Sequence, residues 1–216
     1  MFKYRKYNWQ DGKQLELKDR TLIMGILNGT PDSFSDGGRY NTSDTAVAHA
    51  KQMIEQGADI IDVGVESTRP GHTQISVADE IERMKEILLP VLEVSTVPIS
   101  VDTYRAETAE FALSHGAHIL NDIWGLKYDK DMAAVAAKYD VPVIIMHNQN
   151  HTNYDDIIDD MKAFFFSSVD LALKEGVKPQ NIWLDPGIGF GKDYAQNVEV
   201  IQRLGEITVY EYPVLL

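Results

Sequence analysis

The stretch LIMGILNGTPDSFSDGGRYNTSD, Leu22 to Asp44, changes character at one position. Its residues up to Leu27 are apolar or small, as in a buried strand, whereas those from Asn28 onward are mostly polar and include Pro31 and Gly37. A buried strand that ends in a long polar loop places that loop at the edge of a sheet, where binding groups commonly lie. The same arrangement recurs along the chain, and this recurrence predicts the fold.

Short apolar strands alternate with amphipathic helices from Thr21 onward. The predicted strands are TLIMGIL, ADIIDVG, VPISVD, AHILND, VPVIIMH, NIWLD and the start of a seventh at YPVLL. The predicted helices span Ser43–Gln56, Ser76 to about Pro90 or beyond, Ala106–Ser114, Asp131–Tyr139, Tyr154–Glu175 and Gln196–Leu204. Near-continuous apolar strands indicate a parallel sheet that is covered on both faces. Ahead of it, the Asp11-Gly12 pair predicts a hairpin from Tyr7 to Leu17.

Six of the predicted strands end in a polar residue or a glycine. These residues are Asn28, Gly64, Asp102, Asn121, His147 and Asp185. A doubly wound open sheet binds its ligand at one switch point and needs few functional strand ends, whereas a (β/α)8 TIM barrel brings all of them to one mouth. Six such ends favour the barrel. The length of 216 residues allows one domain, 1–216, with an N-terminal hairpin over 1–20 and the barrel from about residue 21.

Composition excludes several classes of protein. The net charge of −13 opposes nonspecific binding to nucleic acid and to anionic membranes. The chain has no cysteine, so disulfides and thiolate chemistry are excluded. Its N-terminus lacks the apolar core of a signal peptide, and the apolar run VPVIIM is far shorter than the roughly 20 residues of a spanning helix. We therefore expect a soluble, cytoplasmic protein.

Three strand ends carry groups that suit a polar heterocycle. The carboxylate of Asp102 can accept two parallel hydrogen bonds from an edge such as that of a 2-aminopyrimidine, although a helix N-cap is an alternative. Asn121 has both a donor and an acceptor, or is simply a turn residue. Asp185 begins DPGIGFG, in which Gly189 allows close backbone approach and Phe190 offers a ring. A plain glycine-rich turn is the alternative there.

Arg69 is the clearest fixed cation early in the chain. It follows the second predicted barrel strand within VESTRPGH, between Thr68 and Pro70. Its planar guanidinium suits phosphate oxygens. A solvent-exposed loop arginine is the commoner alternative for any single arginine.

Together these motifs resemble one family. ILNGTPDSFSDGG, GADIIDVGVESTRPG, ISVDT, ILNDIWG, IIMHN and WLDPGIGFGK are similar to the motifs of dihydropteroate synthases of folate biosynthesis. The resemblance covers about Thr21 to Leu216. It implies a (β/α)8 barrel and a transferase, the target of sulfonamides, that joins 6-hydroxymethyl-7,8-dihydropterin diphosphate to p-aminobenzoate, giving dihydropteroate and diphosphate.

The resemblance also implies which residues bind the pterin and the metal. The family's pterin-binding positions match Asp102, Asn121 and Asp185, with Met146 packing nearby. Asn28 matches the family's Mg²⁺ ligand, and the diphosphate oxygens supply further ligands to the metal. Mg²⁺ is therefore the expected cofactor.

Two loops match the family's second-substrate region. Thr68 and Arg69, followed by Pro70, match a loop that contacts diphosphate and p-aminobenzoate. The segment Gly29–Tyr40, which includes Phe34, matches a mobile loop that closes over the second substrate. We expect Asp102, Asp185 and Arg69 to be catalytic, and we expect the remaining residues of this set to bind substrate.

The sequence departs from the family pattern at three places. Gly29 stands where the family usually has Val, and Val65 stands where a second Gly is usual, which would strain the backbone if that position needs a positive φ. The family's Ser-Arg-Lys and Arg-x-His runs lie beyond Leu216, so the barrel lacks roughly its last one to two βα units. Besides Arg69, the remaining cations for a diphosphate are Arg39 and Lys192. We expect the chain alone to be poorly active and to be part of a longer protein.

Two other functions remain open on this evidence. A binding scaffold would keep the pterin pocket without the chemistry. A pterin-dependent corrinoid methyltransferase would share the barrel, but the TPDSFSDGG and STRPG loops argue against it. The resemblance further implies a homodimer for the complete protein, with no nucleic-acid or membrane partner.

Overall fold

The structure is a computed structural model that describes residues 4–29, 42–66, 74–208 and 211–216. Contacts divide the chain into two compact units, Tyr4–Leu120 and Asn121–Leu216. We call them the N-terminal and the C-terminal unit. The assignment of residues 1–216 to a single domain stays a prediction.

The N-terminal unit contains a hairpin followed by strand–helix repeats. Its elements are β1 (Arg5–Asn8), β2 (Gln14–Leu17), β3 (Met24–Asn28), α1 (Thr42–Glu55), β4 (Ile60–Gly64), α2 (Val77–Val94), β5 (Ile99–Asp102) and α3 (Ala106–Ser114). Strand β6 (Ile119–Asp122) includes the boundary between the two units.

The C-terminal unit continues the same alternation. Its elements are α4 (Met132–Tyr139), β7 (Val143–Met146), α5 (Ile157–Lys174), β8 (Ile182–Asp185) and α6 (Tyr194–Gln202). Strands β3, β4 and β5 are successive strands in the N-terminal unit, and β7 and β8 are neighbours in the C-terminal unit. The pairs β3–β4, β4–β5 and β7–β8 are parallel, which confirms the predicted parallel α/β organisation. No helix within the described ranges is long and apolar enough to cross a bilayer.

The predicted hairpin is present. Strands β1 and β2 pair antiparallel, with Tyr7 opposite Leu15. Gly12 has a φ of +87°, and the carboxylate of Asp11 accepts the backbone N–H of Lys13 at 3.1 Å. The Asp-Gly pair predicts such a turn, in which the aspartate side chain accepts the N–H two residues later and the glycine between them has a positive φ.

Helix ends follow local capping chemistry. Ser76 is the N-cap of α2 and accepts the N–H of Asp79 at 3.1 Å, as its S-x-x-D signature predicts. Pro90 lies inside α2, which continues to Val94 because residues on its apolar face, such as Val91, are fully buried. Burial of that face offsets the hydrogen bond that the proline cannot donate.

The predicted seventh strand is present only in part. Within residues 211–216, Val214 forms a single parallel bridge with Leu184 of β8. The N–H of Leu184 donates to the carbonyl of Pro213, and the N–H of Leu215 donates to the carbonyl of Leu184, both at 2.9 Å. The segment therefore begins to pair with β8 without forming a full strand.

Candidate active site

In the N-terminal unit, three predicted strand-end residues are neighbours across the sheet. Asn28 pairs in register with Gly64, and Gly64 pairs with Asp102. Adjacent strands lie about 4.8 Å apart, so Asn28 and Asp102 belong to one row at the carboxyl edge of three strands. Asn28 is exposed and Asp102 is half-buried. This edge can present an amide oxygen and a carboxylate to the same ligand.

Gly64 leaves room for the carboxylate of Asp102. A Cβ atom at position 64 would lie 3.3 Å from Oδ2 of Asp102, which is a tight contact, and 3.4 Å from the Cβ of Asp102. A glycine between the two polar residues therefore allows the carboxylate to lie over the end of β4.

The helix-cap alternative for Asp102 does not hold. The N-cap of α3 is Arg105, which makes no side-chain cap hydrogen bond. Thr103 serves the local turn instead, because its hydroxyl accepts the N–H of Arg105 at 3.2 Å and donates to Oε1 of Glu80 at 2.7 Å. Asp102 is thus not required for starting the helix.

Behind this edge, Arg105 joins two buried glutamates in a cluster that sequence reasoning missed. Its Nη1 atom donates to Glu66 and, at 2.6 Å, to Oε2 of Glu80. Arg105 is 8% exposed and Glu80 is 1% exposed. Burial acts to raise the pKa of Glu66, but hydrogen bonds from Arg105, from the Ile75 N–H and from Tyr104 outweigh it and lower that pKa. We call Glu66, Glu80 and Arg105 the buried ion cluster.

The buried ion cluster also binds Ile75. Nη2 of Arg105 donates to the carbonyl of Ile75, and the N–H of Ile75 donates to Oε1 of Glu66, both at 3.1 Å. Ile75 and Glu66 flank residues 67–73. The predicted site residues Thr68, Arg69 and Pro70 lie in that interval, outside the described residues, as does Phe34 in residues 30–41.

In the C-terminal unit, β7 and β8 bring Met146 and Asp185 side by side. The two residues pair in register, and the N–H of His147 donates to the carbonyl of Asp185 at 2.8 Å. Met146 is buried, and Asp185 is half-buried. Asn121 is largely buried near the end of β6, which neighbours β7 in the sheet. The amide of Asn121 therefore lies one residue before the end of β6, and the thioether of Met146 and the carboxylate of Asp185 lie at the ends of β7 and β8.

The glycine loop after β8 holds the carboxylate of Asp185. The N–H of Gly187 donates to Oδ1 of Asp185 at 2.7 Å. Gly187 has a φ of +66°, and a Cβ atom there would lie 2.1 Å from the carbonyl oxygen of His147, so no other residue fits. Gly189 is exposed and donates its N–H to Oδ1 of Asn197 at 2.7 Å, and Phe190 is half-exposed beside it.

The sequence matches those of known proteins. Residues 24–216 match the sequence model of the pterin binding enzymes. The chain is also 52% identical over 204 residues to a dihydropteroate synthase from Clostridium beijerinckii, an alignment that covers 94% of this chain and 76% of that protein. The chain belongs to the dihydropteroate synthase family. The resemblance drawn from the motifs is thereby confirmed.

Solved dihydropteroate synthases share the fold. The enzyme from Clostridium difficile, in the presence of pteroic acid, superposes with a TM-score of 0.89 at 54% identity, covering 91% of this chain and 75% of that one. The enzyme from Xanthomonas albilineans, with 4-aminobenzoic acid, gives a TM-score of 0.90 at 37% identity, covering 94% and 74%. These likenesses confirm the predicted (β/α)8 TIM-barrel class. This chain spans about three quarters of these relatives' length.

Two departures from the dihydropteroate synthase pattern lie side by side. A Cβ atom at Gly29 would lie 3.2 Å from Cγ1 of Val65 and 3.0 Å from Cγ1 of Ile87. The fully buried Val65 side chain therefore occupies space beside Gly29 that a larger residue there would need. Val65 is not among the residues with a positive φ, so the backbone strain expected at this position does not arise.

Lys192 does not suit the diphosphate-binding role that the sequence suggested for it. The side chain is buried, and its ammonium contacts His147, Gly187 and Phe190. A lysine that follows a glycine-rich turn carries no sequence signal for such burial. The burial of Lys192 depends on His147, which lies 45 residues earlier in the chain and accepts a hydrogen bond from the ammonium.

Proposed function

We propose that this chain catalyses the dihydropteroate synthase reaction, joining 6-hydroxymethyl-7,8-dihydropterin diphosphate to p-aminobenzoate. The observation that carries the proposal is the placement of Asp102 and Asp185, each at the carboxyl end of a parallel strand and each with a glycine close to its carboxylate. Relatives solved with pteroic acid and with 4-aminobenzoic acid support this choice of substrates.

We assign recognition of the pterin to Asp102, Asn121 and Asp185. A carboxylate accepts two parallel hydrogen bonds from a 2-amino-N–H edge, a geometry that an amide cannot reproduce. Asn121 supplies one donor and one acceptor to the remaining ring edge. Met146 offers a polarisable apolar surface to the flat ring, and its burial supports this role.

The chemistry that these residues would support is displacement at the pterin methylene carbon. The bond from this carbon to the diphosphate oxygen breaks, and the electron pair leaves with diphosphate. Positive charge develops on the pterin, where the carboxylates of Asp102 and Asp185 stabilise it. The aryl amine nitrogen of p-aminobenzoate then forms the new C–N bond and loses a proton.

Asn28 is suited to be the one protein residue that binds a Mg²⁺ ion. Its exposed amide at the end of β3 supplies an oxygen, and Mg²⁺ commonly binds one or two protein oxygens together with substrate phosphates. The described residues contain no cluster of three or more His, Cys, Asp or Glu that could hold a metal by itself. When bound, Mg²⁺ would neutralise charge on the departing diphosphate.

Two segments complete the proposed site. We assign contacts with diphosphate and p-aminobenzoate to Thr68, Arg69 and Pro70, and closure over the second substrate to the loop that carries Phe34. Gly189 and Phe190 belong to the same proposed substrate surface, because the loop after β8 leaves Gly189 exposed and Phe190 half-exposed. These assignments follow the family's motifs.

The test is product formation from defined substrates. The purified chain is incubated with the pterin diphosphate, Mg²⁺ and labelled p-aminobenzoate, and both dihydropteroate and diphosphate are quantified. We expect equal amounts of the two products, and at least a 100-fold loss in Asp185→Asn. Asp170→Asn, at an exposed position on α5, is the matched control. Binding of the pterin diphosphate without release of diphosphate would instead support the scaffold function, and methyl transfer from a methylated folate would support the methyltransferase.

A further inference from the structure

The ammonium of Lys192 lies inside the loop that follows β8. Lys192 is 8% exposed. Its Nζ atom donates to Nδ1 of His147 and to the carbonyl of Gly187, both at 3.0 Å, and to the carbonyl of Phe190 at 2.9 Å. A lysine ammonium has three N–H donors. The three acceptors use all three donors, so every N–H group of the ammonium is hydrogen-bonded within the chain.

His147 is adapted to accept this hydrogen bond. Burial, together with the charges of Lys192 and Lys127, lowers the pKa of His147 to about 3. The ring is therefore neutral and, because Lys192 can only donate, Nδ1 is the acceptor. Phe164 packs edge-on against the ring, with centroids 4.9 Å apart, and holds it in place.

A short path links the ammonium to the carboxylate of Asp185. Lys192 binds the carbonyl of Gly187, and the N–H of the same glycine binds Oδ1 of Asp185 at 2.7 Å. The Cα of Gly187 lies against the carbonyl oxygen of His147. Gly187 therefore has three contacts: with the ammonium of Lys192, with the carboxylate of Asp185 and with the carbonyl of His147. Its orientation affects the position of Oδ1 of Asp185 through the hydrogen bond from its N–H.

Lys192 and Asp185 also interact through their charges. Burial lowers the pKa of Lys192 to about 8, and the negative charge of Asp185 opposes this shift. None of the three direct acceptors is a carboxylate, so the buried cation is costly. A residue that served only to fill this space would not need to be charged. The positive charge of Lys192 and the negative charge of Asp185 attract each other.

We propose that Lys192 is a positioning residue for the pterin site, acting through Gly187 on the carboxylate of Asp185. This inference rests on the proposed role of Asp185 in binding the pterin. All three N–H donors of Lys192 bind acceptors of its own chain, so the proposed role requires no contact between Lys192 and the substrate. The function of Lys192 is to fix the loop from Gly187 to Phe190. The loop in turn fixes Oδ1 of Asp185, which we assign to bind the edge of the pterin ring.

A double-mutant cycle tests the inference. Affinity for 6-hydroxymethylpterin monophosphate is measured by titration calorimetry for the wild type, Lys192→Met, Asp185→Asn and the double variant. Methionine keeps the length of the side chain but removes the charge and the donors. We expect Lys192→Met to weaken binding at least tenfold in the wild type and less than twofold in the Asp185→Asn background, because residues that act together are not additive. Lys178→Met, at an exposed position paired with Asp140, should bind as the wild type does.

The outcomes separate this inference from the proposed function. An equal loss in both backgrounds would show that Lys192 acts independently of Asp185, and the inference would be wrong. Unchanged affinity in Asp185→Asn alone would instead overturn the proposed role of Asp185. If circular dichroism shows that Lys192→Met does not fold, Lys192→Gln, which keeps two donors, takes its place in the cycle. Failure of both variants to fold would assign Lys192 to folding alone and overturn the inference.

Discussion

At the scale of single residues, the position of a carboxylate depends on small neighbours. Gly64 leaves space beside Asp102, and the positive φ of Gly187 turns its N–H toward Asp185. Both aspartates are half-buried, where charge–dipole interactions are stronger than in water. Replacing either aspartate by asparagine changes the charge and one acceptor while almost preserving the shape, so such variants isolate the proposed chemistry.

The first prediction concerns Asp102. Asp102→Asn should weaken binding of a bare pterin by about 1.5–3 kcal/mol, because an amide cannot accept both hydrogen bonds of the 2-amino-N–H edge. Titration calorimetry measures the change, and the unfolding midpoint in urea serves as the control for folding. Unchanged affinity in a stable variant would remove Asp102 from the site.

The second prediction concerns Asn28 and the metal. Asn28→Ala, or EDTA added to the wild type, should weaken binding of the pterin diphosphate at least tenfold. Binding of the bare pterin should change less than twofold, since Mg²⁺ contacts the diphosphate and not the ring. Both affinities are measured with and without added Mg²⁺. Equal effects on both ligands would contradict the assignment of Asn28 as the metal ligand.

At the scale of elements, the buried ion cluster joins three segments of the N-terminal unit. Glu66 follows β4, Glu80 lies in the first turn of α2 and Arg105 precedes α3. The hydroxyl of Thr108, in the first turn of α3, also donates to Oε2 of Glu80 at 2.8 Å. Two buried carboxylates therefore depend on one guanidinium, which fixes the start of both helices relative to the end of β4.

The third prediction removes that guanidinium. Arg105→Met should lower the free energy of unfolding by about 3–5 kcal/mol, because it leaves Glu66 and Glu80 buried without their cation. Urea denaturation monitored by circular dichroism measures the loss. Lys174→Met, which breaks an exposed ion pair with Asp170 on α5, is the matched control and should cost less than about 1 kcal/mol. A similar small loss in both variants would show that the cluster contributes little.

At the scale of the whole molecule, buried titratable groups determine how stability depends on pH. His118 and His147 both have a lowered pKa, chiefly because they are buried. The unfolded chain therefore binds protons that the folded chain does not, and stability falls as the pH drops below the unfolded value of about 6.5. Asp122 acts in the opposite direction, because burial raises its pKa to about 6, so the folded chain binds its proton first.

The fourth prediction follows from this balance. The lowered pKa values of the two histidines outweigh the raised pKa of Asp122, so the free energy of unfolding should fall as the pH drops from 6 to 4.5. Urea denaturation at intervals of half a pH unit measures the slope. His118→Asn should make the slope shallower, and Asp122→Asn should make it steeper. Stability that rises on acidification across this range would contradict the assignment.

The order of strands and helices follows from the sequence alone, because hydrophobic periodicity, the Asp11-Gly12 turn and the S-x-x-D cap act over a few residues. Local pattern likewise located Asp102, Asn121 and Asp185 at strand ends. The tertiary structure decided what long-range contacts determine: that Lys192 binds His147, that Arg105 pairs with both Glu66 and Glu80, and that Val65 packs beside Gly29. Such pairings join residues some 25 to 45 positions apart. A local pattern contains no information on which distant side chain will become the partner of a buried group. That pairing is determined only when tertiary packing brings the two segments together.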